Sequence, residues 1–315
     1  MKIGLINIDS KIPNLALMKI SAYHKAKGDT VSWFDMFTFE TCDKVYSSKV
    51  FSYTPDFDYY PAGIETIKGG SGFIGNYTVL PDEIEHTCPD YSLYSKMDYS
   101  MGFITRGCIR TCNFCIVPKK EGYIRANADI DEFLRHKNLV CLDNNVLVSE
   151  HGLKQIEKII DRKIKVDFNQ GLDARIIAEN SAIAELLSKV KWLKPVRMAM
   201  DNIGEADAVI KATELLRKYK TTPKAYSVYI LVRNDIEDAL KRVEICRELN
   251  IRPFAQPYLN PNSTKHEVSQ EQRDFVSWVN QREFFQKMPF RLFKIARHNK
   301  NAEVVPDKNR IALII

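Results

Sequence analysis

The sequence predicts an α/β protein built on parallel sheets, and three observations carry that prediction. Short apolar runs recur and stop at a polar residue, stretches with apolar residues at helical spacing lie between them, and from about residue 100 the two alternate through about six β–α steps. Strand–helix–strand alternation implies parallel pairing with right-handed crossovers. The 315 residues are 45% hydrophobic and 27% charged. That composition supports one large core or two moderate ones and excludes disordered, collagenous and fibrous chains.

Residues 2–8 form the first apolar run, ending in Asn7-Ile8-Asp9, and read as a buried strand. Residues 14–27 carry Leu15, Leu17, Met18, Ala22 and Tyr23 at roughly helical spacing, with Gly28 as a stop. Strands are expected at 30–34 and 44–51, and Gly69-Gly70-Ser71-Gly72 reads as a turn or ligand-approach loop. Residues 1–80 therefore form an open α/β domain. Residues 81–98 are rich in acids and tyrosines, contain Pro81 and Pro89, lack periodicity, and read as a linker. Within 99–257, strands are expected at 102–105, 139–142, 165–168, 196–200, 226–232 and 253–256, and helices at 152–161, 176–189, 206–218 and 236–249. This is too short for an eight-stranded barrel of about 250 residues and fits a partial (β/α)6 TIM-type barrel. Residues 258–315 form a C-terminal extension, helical at 271–287 and basic at its end. Polar residues recur at strand C-termini (Cys108, Asp143, Gln170, Asp201 and Arg233), the edge where parallel α/β folds bind ligands.

The net charge of +6 is uneven: residues 1–100 hold nine Lys against thirteen Asp/Glu, whereas 290–315 hold six Lys/Arg against two acids. A basic end suits nucleic acid, or is simply a solvated terminus. No stretch approaches the roughly 18 apolar residues of a membrane span, and Asp9 interrupts the run a signal peptide would continue. A cytoplasmic protein without membrane contact is expected.

Three of the seven cysteines lie within 108–115, in Thr105-Arg106-Gly107-Cys108-Ile109-Arg110-Thr111-Cys112-Asn113-Phe114-Cys115. A structural zinc site needs four ligands. Cys88, Cys141 or His136 offers a fourth, yet none forms a second C-x2-C knuckle. Three thiolates suit a cubane iron–sulfur cluster with one iron left open. Cys141 and Cys246 sit in apolar contexts and read as small buried hydrophobes. The six histidines form no metal-binding pair.

C-x3-C-x2-C with an aromatic before the last cysteine resembles the signature of the radical SAM superfamily. The resemblance implies a 4Fe–4S cluster on Cys108, Cys112 and Cys115. Its open iron would be chelated by the amino and carboxylate groups of S-adenosylmethionine, and an electron from a flavodoxin or ferredoxin would release a 5′-deoxyadenosyl radical. Phe114 would lie near the adenine, or is a core aromatic. Asp143-Asn144-Asn145 resembles the Asp-Asp-Asn-Phe of the cobalamin-domain branch, with Asn144 and Val146 replacing its second Asp and its Phe. Asp143 and Asn144 would take the methionine amino group, or form a turn capping the next helix. The segment from Asn169 to Arg175 resembles that branch's Gly-x-x-x-Arg. Arg175 would clamp a carboxylate and Asp173 or Gln170 would reach the ribose, the bland reading being a helix cap with a surface arginine. Asp201 is a further ribose contact or a turn residue. Arg233-Asn234 replaces the glycine the family would place after the fifth strand.

The N-terminal unit likewise resembles the Rossmann-like cobalamin-binding domain that precedes such cores. The Asp-x-His-x-x-Gly of that domain is absent: Asp9 is present without the His or the Gly. Cobalamin is thus implied by the branch but not by these residues. The methylthiotransferase branch carries three extra cysteines and a C-terminal RNA-binding barrel. Here only Cys42 and Cys88 precede the core, and 257–315 is too short after its helix for a barrel. The resemblance implies an enzyme that methylates, rearranges or otherwise modifies an unidentified substrate, nucleic acid included. The residues alone leave open a non-catalytic, zinc-stabilised nucleic-acid-binding module.

Overall fold

A computed structural model describes the chain except residues 38–41, 76–77, 222–225, 266, 300–302, 307–310 and 315, with backbone alone at 303–306 and 311–314. Lys300, Lys308 and Arg310 of the basic end lie outside the described residues. Contacts divide the chain into two units, Met1–Asn169 with Asn260–His266, and Gln170–Leu259 with Glu267–Ile315. The cut falls inside the stretch expected to form a partial barrel, whose strands belong to separate sheets.

The first unit begins with β1 (Lys2–Asn7), α1 (Leu15–Ala26), β2 (Thr30–Trp33), β3 (Lys44–Ser48) and β4 (Glu65–Gly69). The strands form a wholly parallel sheet in the order β2-β1-β3-β4. Asn14 starts α1 by accepting the Leu17 amide at 3.2 Å, satisfying one orphan donor of the first turn. Leu17 and Ile20 of α1 then pack on Ile3, Leu5 and Tyr46 of the sheet. Residues 81–98 carry α2 (Asp82–Glu85) and a 3₁₀ turn at Tyr91–Leu93. Ile84 joins that first core, and Tyr91, Leu93, Tyr94 and Met97 pack on a second one formed by Leu15, Met18 and Met101.

Next come β5 (Ser100–Gly102), β6 (Thr105–Arg106), α3 (Val117–Lys120), β7 (Arg125–Ala126), α4 (Ile130–Phe133), β8 (Asn138–Cys141), α5 (Glu150–Asp161) and β9 (Lys165–Phe168). β5, β8 and β9 pair in parallel, with Met101 opposite Val140 and Cys141 opposite Phe168. The strand expected at 102–105 is thus two pieces. β5 stops at Gly102, and β6 leaves the sheet to pair antiparallel with β7. That two-stranded stem carries the cysteines.

The second unit holds α6 (Ala174–Glu179), α7 (Ser181–Ser188), β10 (Lys191–Trp192), β11 (Val196–Ala199), α8 (Ala206–Lys218), β12 (Tyr226–Val232), α9 (Ile236–Glu248), β13 (Arg252–Pro257), α10 (Gln270–Asn280), α11 (Arg282–Lys287), α12 (Phe290–His298), β14 (Glu303–Pro306) and β15 (Ile311–Ile314). β11, β12 and β13 form a parallel sheet. The single helix expected at 176–189 is two, because Asn180 turns extended and its side chain accepts the Ala182 amide at 3.0 Å, restarting the helix. The helix expected at 271–287 breaks where Gln281 turns extended, here with no side-chain cap, and α12 follows unforeseen. Trp278 anchors these helices: it contacts Phe275, Phe285 and Phe290 ring to ring and donates Nε1 to the Met288 carbonyl at 2.8 Å. β14 and β15 pair antiparallel, also unforeseen. No helix among the described residues is long and apolar enough to cross a membrane.

Candidate functional site

The cysteine loop begins where the parallel β5–β8–β9 sheet ends. Asp143, two residues past β8, is buried, and its carboxylate accepts the Ile104 amide at 3.3 Å, the Thr105 amide at 2.5 Å and the Thr105 hydroxyl at 2.7 Å. Burial pushes its carboxyl up to about 6, against the lowering effect of those hydrogen bonds. The sequence assigns this residue to a ligand's ammonium; in the structure its oxygens hold the strand end that leads to the cysteines. Gly107 then turns the chain at φ +81°, and a Cβ there would stand 2.3 Å from the Tyr123 carbonyl oxygen, so only glycine fits. Beside it the Cys108 amide donates to the Gly122 carbonyl at 3.2 Å, closing the loop at its base. The Cys115 amide bonds the Cys112 carbonyl at 3.0 Å, making the turn that holds the last two thiols.

Cys108, Cys112 and Cys115 are each half-buried, and none is in a disulfide. Cys108 Sγ accepts the Arg110 amide at 3.3 Å and Asn145 Nδ2 at 3.7 Å, and Cys115 Sγ accepts the Val117 amide at 3.4 Å. N–H donors aimed at sulfur are the kind of contact that orients a ligand to iron. In kind and number the donors fit a 4Fe–4S cluster with one iron left open. They are not a preformed cage: among the described residues no group of three or more His, Cys, Asp or Glu converges as a metal site.

Glu121, which no sequence pattern marks, is the hub of the loop. Its Oε2 accepts the Gly107 amide at 3.1 Å and Asn144 Nδ2 at 2.9 Å, while Oε1 pairs with Arg106 Nη1 at 3.3 Å. Arg106 also pairs with Glu85 at 3.0 Å, and Glu85 with the buried Lys19 at 3.0 Å. The Arg106 guanidinium lies 3.5 Å from the Phe103 ring centroid. Lys120 donates to Ser71 Oγ at 2.8 Å, tying the helix after the cysteines to the glycine-rich loop after β4. Asn144 is therefore pinned to Glu121. Phe114 is half-buried within the loop.

The loop after β1 offers no histidine. Asp9 instead accepts the Val50 and Phe51 amides, both at 2.8 Å. Gly70, at φ +104°, packs on Lys49, where a Cβ would meet the carbonyl oxygen at 2.3 Å. Asp9 and Gly70 thus both engage the loop after β3. Cys42 lies against Gly4, and Cys88 donates weakly to the Pro89 carbonyl.

In the second unit Asp173 caps α6. Its Oδ1 accepts the Arg175 amide at 3.2 Å and Arg175 Nε at 2.8 Å. Arg175 Nη1 pairs with Glu205 at 3.2 Å, and Glu205 accepts the Asp201 amide at 2.7 Å. Burial, then the neighbouring Glu205, pushes the Asp201 carboxyl up to about 6, against Arg242, Arg175 and Arg233. Asp173, Arg175 and Asp201 are therefore joined through Glu205, which the sequence reading missed, and Gln170 is exposed beside Gly171. Cys141 and Cys246 are buried with thiols pushed up by desolvation, in keeping with core positions. A cavity of ≈ 1080 Å³ lined by Asn234, Glu237, Arg247, Trp278 and Phe290 contains none of the candidate cluster or cofactor residues.

No protein-family model matches the chain. It is 25% identical over 207 residues to ribosomal protein uS12 methylthiotransferase RimO of Thermosipho melanesiensis, covering 55% of this chain and 42% of that protein. It shares its fold with the cobalamin-dependent S-adenosylmethionine radical enzyme OxsB, solved with aqua-cobalamin and S-adenosylmethionine bound: the TM-score is 0.53 at 12% identity, over 99% of this chain and 64% of that one. The chain spans less than half the length of the curated relative and under two thirds of the solved one.

Proposed function

We propose that this chain, a relative of radical SAM enzymes in motif and in fold, reductively cleaves S-adenosylmethionine at a 4Fe–4S cluster held by Cys108, Cys112 and Cys115, and so modifies a substrate. One observation carries the reading: three thiols share a loop anchored at the C-terminal edge of a parallel sheet, with N–H donors directed at two of the sulfurs. The likeness to a methylthiotransferase supports methylation-related chemistry. Nucleic acid is one substrate class this leaves open.

When bound, the cluster would supply an open iron for the cofactor's amino and carboxylate groups and one electron for its sulfonium, drawn from a flavodoxin or ferredoxin. The chain's own work is positioning. Asp143 and Glu121 fix the stem of the loop, Gly107 admits the tight turn, and Phe114 offers a face for adenine. For the cofactor's carboxylate and ribose the proposed partners are Arg175, Asp173, Gln170 and Asp201. A ligand carboxylate would compete with Glu205 for the Arg175 guanidinium.

Anaerobic reconstitution tests the reading. Iron and sulfide should bind in equal amounts, dithionite should release 5′-deoxyadenosine and methionine, and Cys108→Ala, Cys112→Ala or Cys115→Ala should abolish both. One zinc and no iron would replace this reading with the nucleic-acid-binding module.

A further inference from the structure

We infer that Asn145 is a positioning residue that tunes the redox balance of the cluster through a hydrogen bond to Cys108. The inference rests on the cysteine loop being a cluster site. Asn145 follows Asp143 and Asn144 at the end of β8 and is buried. Its Nδ2 donates to Cys108 Sγ at 3.7 Å, a distance suited to the large sulfur atom. Its two predecessors are engaged elsewhere, Asp143 with Ile104 and Thr105, Asn144 with Glu121. Val146 and Leu147 behind it are buried in a 3₁₀ turn. The amide is thus presented to Cys108 by a segment held on both sides, and not by a mobile arm.

A hydrogen bond to a ligating sulfur favours whichever redox state puts more negative charge there. Reduction adds one electron from the flavodoxin- or ferredoxin-class donor to the cluster, and that charge is shared with its sulfurs. The bond is therefore stronger in the reduced state and raises the potential. The donors Arg110 N and Val117 N are fixed by the loop's backbone. Asn145 donates from a side chain, so a substitution can remove it.

The test uses the full chain reconstituted anaerobically, with Asn145→Leu (similar in shape, no N–H) and Asn145→Gln (donor kept, one methylene longer). Iron, sulfide and cluster absorbance are read first. The reduced fraction at fixed poise is then read by electron paramagnetic resonance during a redox titration. Asn145→Leu should load its cluster and show about a tenfold lower reduced-to-oxidised ratio, ~59 mV for a one-electron couple, with Asn145→Gln between it and the parent. A loaded Asn145→Leu that titrates as the parent does overturns the inference alone. Loading of Asn145→Gln but not Asn145→Leu assigns the donor to cluster assembly and overturns the tuning role. Failure of both to load assigns residue 145 a structural role and overturns it. A parent protein without iron overturns the cluster reading itself.

Discussion

Asp143 and Asp201 occupy equivalent places, each just beyond the C-terminal end of a parallel strand, and each has a carboxyl pushed up to about 6 chiefly by burial. They differ in what surrounds the oxygens. Asp143 is filled by three donors from Ile104 and Thr105. Asp201 lies among charges: Glu205 opposes its ionisation, while Arg242, Arg175 and Arg233 favour it. A strand-end position marks both residues, and so does a displaced acidity. Only the partners separate a fastener from a buried group that lies among charges.

The largest effect that can break this comparison is expected from Asp143→Ala. It leaves three donors unmatched in a buried site, at about 1–3 kcal/mol each when unmade, so a total loss of about 4 kcal/mol is expected in urea unfolding. A loss under about 1 kcal/mol would deny the fastening role. The pH dependence comes next. A folded pKa of about 6 lies above the unfolded value of about 3.9, so the folded state binds more protons between them. Stability contributed by this group is therefore greatest below about pH 4 and falls until about pH 6, by on the order of 3 kcal/mol in all. The stability of the wild type relative to Asp143→Asn, which has no carboxyl to titrate, should fall over that range. A flat difference would contradict the buried assignment.

Glu205→Gln sharpens the other side. It removes the like charge while keeping an acceptor for the Asp201 amide, so the Asp201 titration, followed by carboxyl-carbon NMR, should shift to lower pH. An unmoved midpoint would leave desolvation as the whole cause. The smallest effect is expected for Arg175→Met. Its pairs with Asp173 and Glu205 are partly solvent-screened, so stability should change by no more than about 1 kcal/mol.

Much of this was legible in the sequence where local pattern suffices. The parallel α/β layout follows from apolar runs alternating with helical spacing, and the thiol triplet follows from its spacing alone. What escaped depends on partners distant along the chain. Nothing in Lys119-Lys120-Glu121-Gly122 announces that Glu121 will gather Gly107, Arg106 and Asn144. Asn180 and Gln281 interrupt apolar periodicities that continue across them, so helical spacing hid both breaks. β6 and β7 are two residues each, too short for any alternation to register. The sequence marks Asp143 by its place after a strand, but cannot show that Thr105 would occupy its oxygens.

The ion chain Lys19–Glu85–Arg106, together with the contact of Leu15 and Met18 with Met101, has a practical corollary for anyone recombining such proteins. A fragment starting near residue 99 would take from Arg106 one of its two carboxylate partners and bare the apolar face of Met101, so it should precipitate when expressed alone. Transplanting the thiol-bearing half onto a foreign platform demands carrying α1 and α2 along as part of the graft.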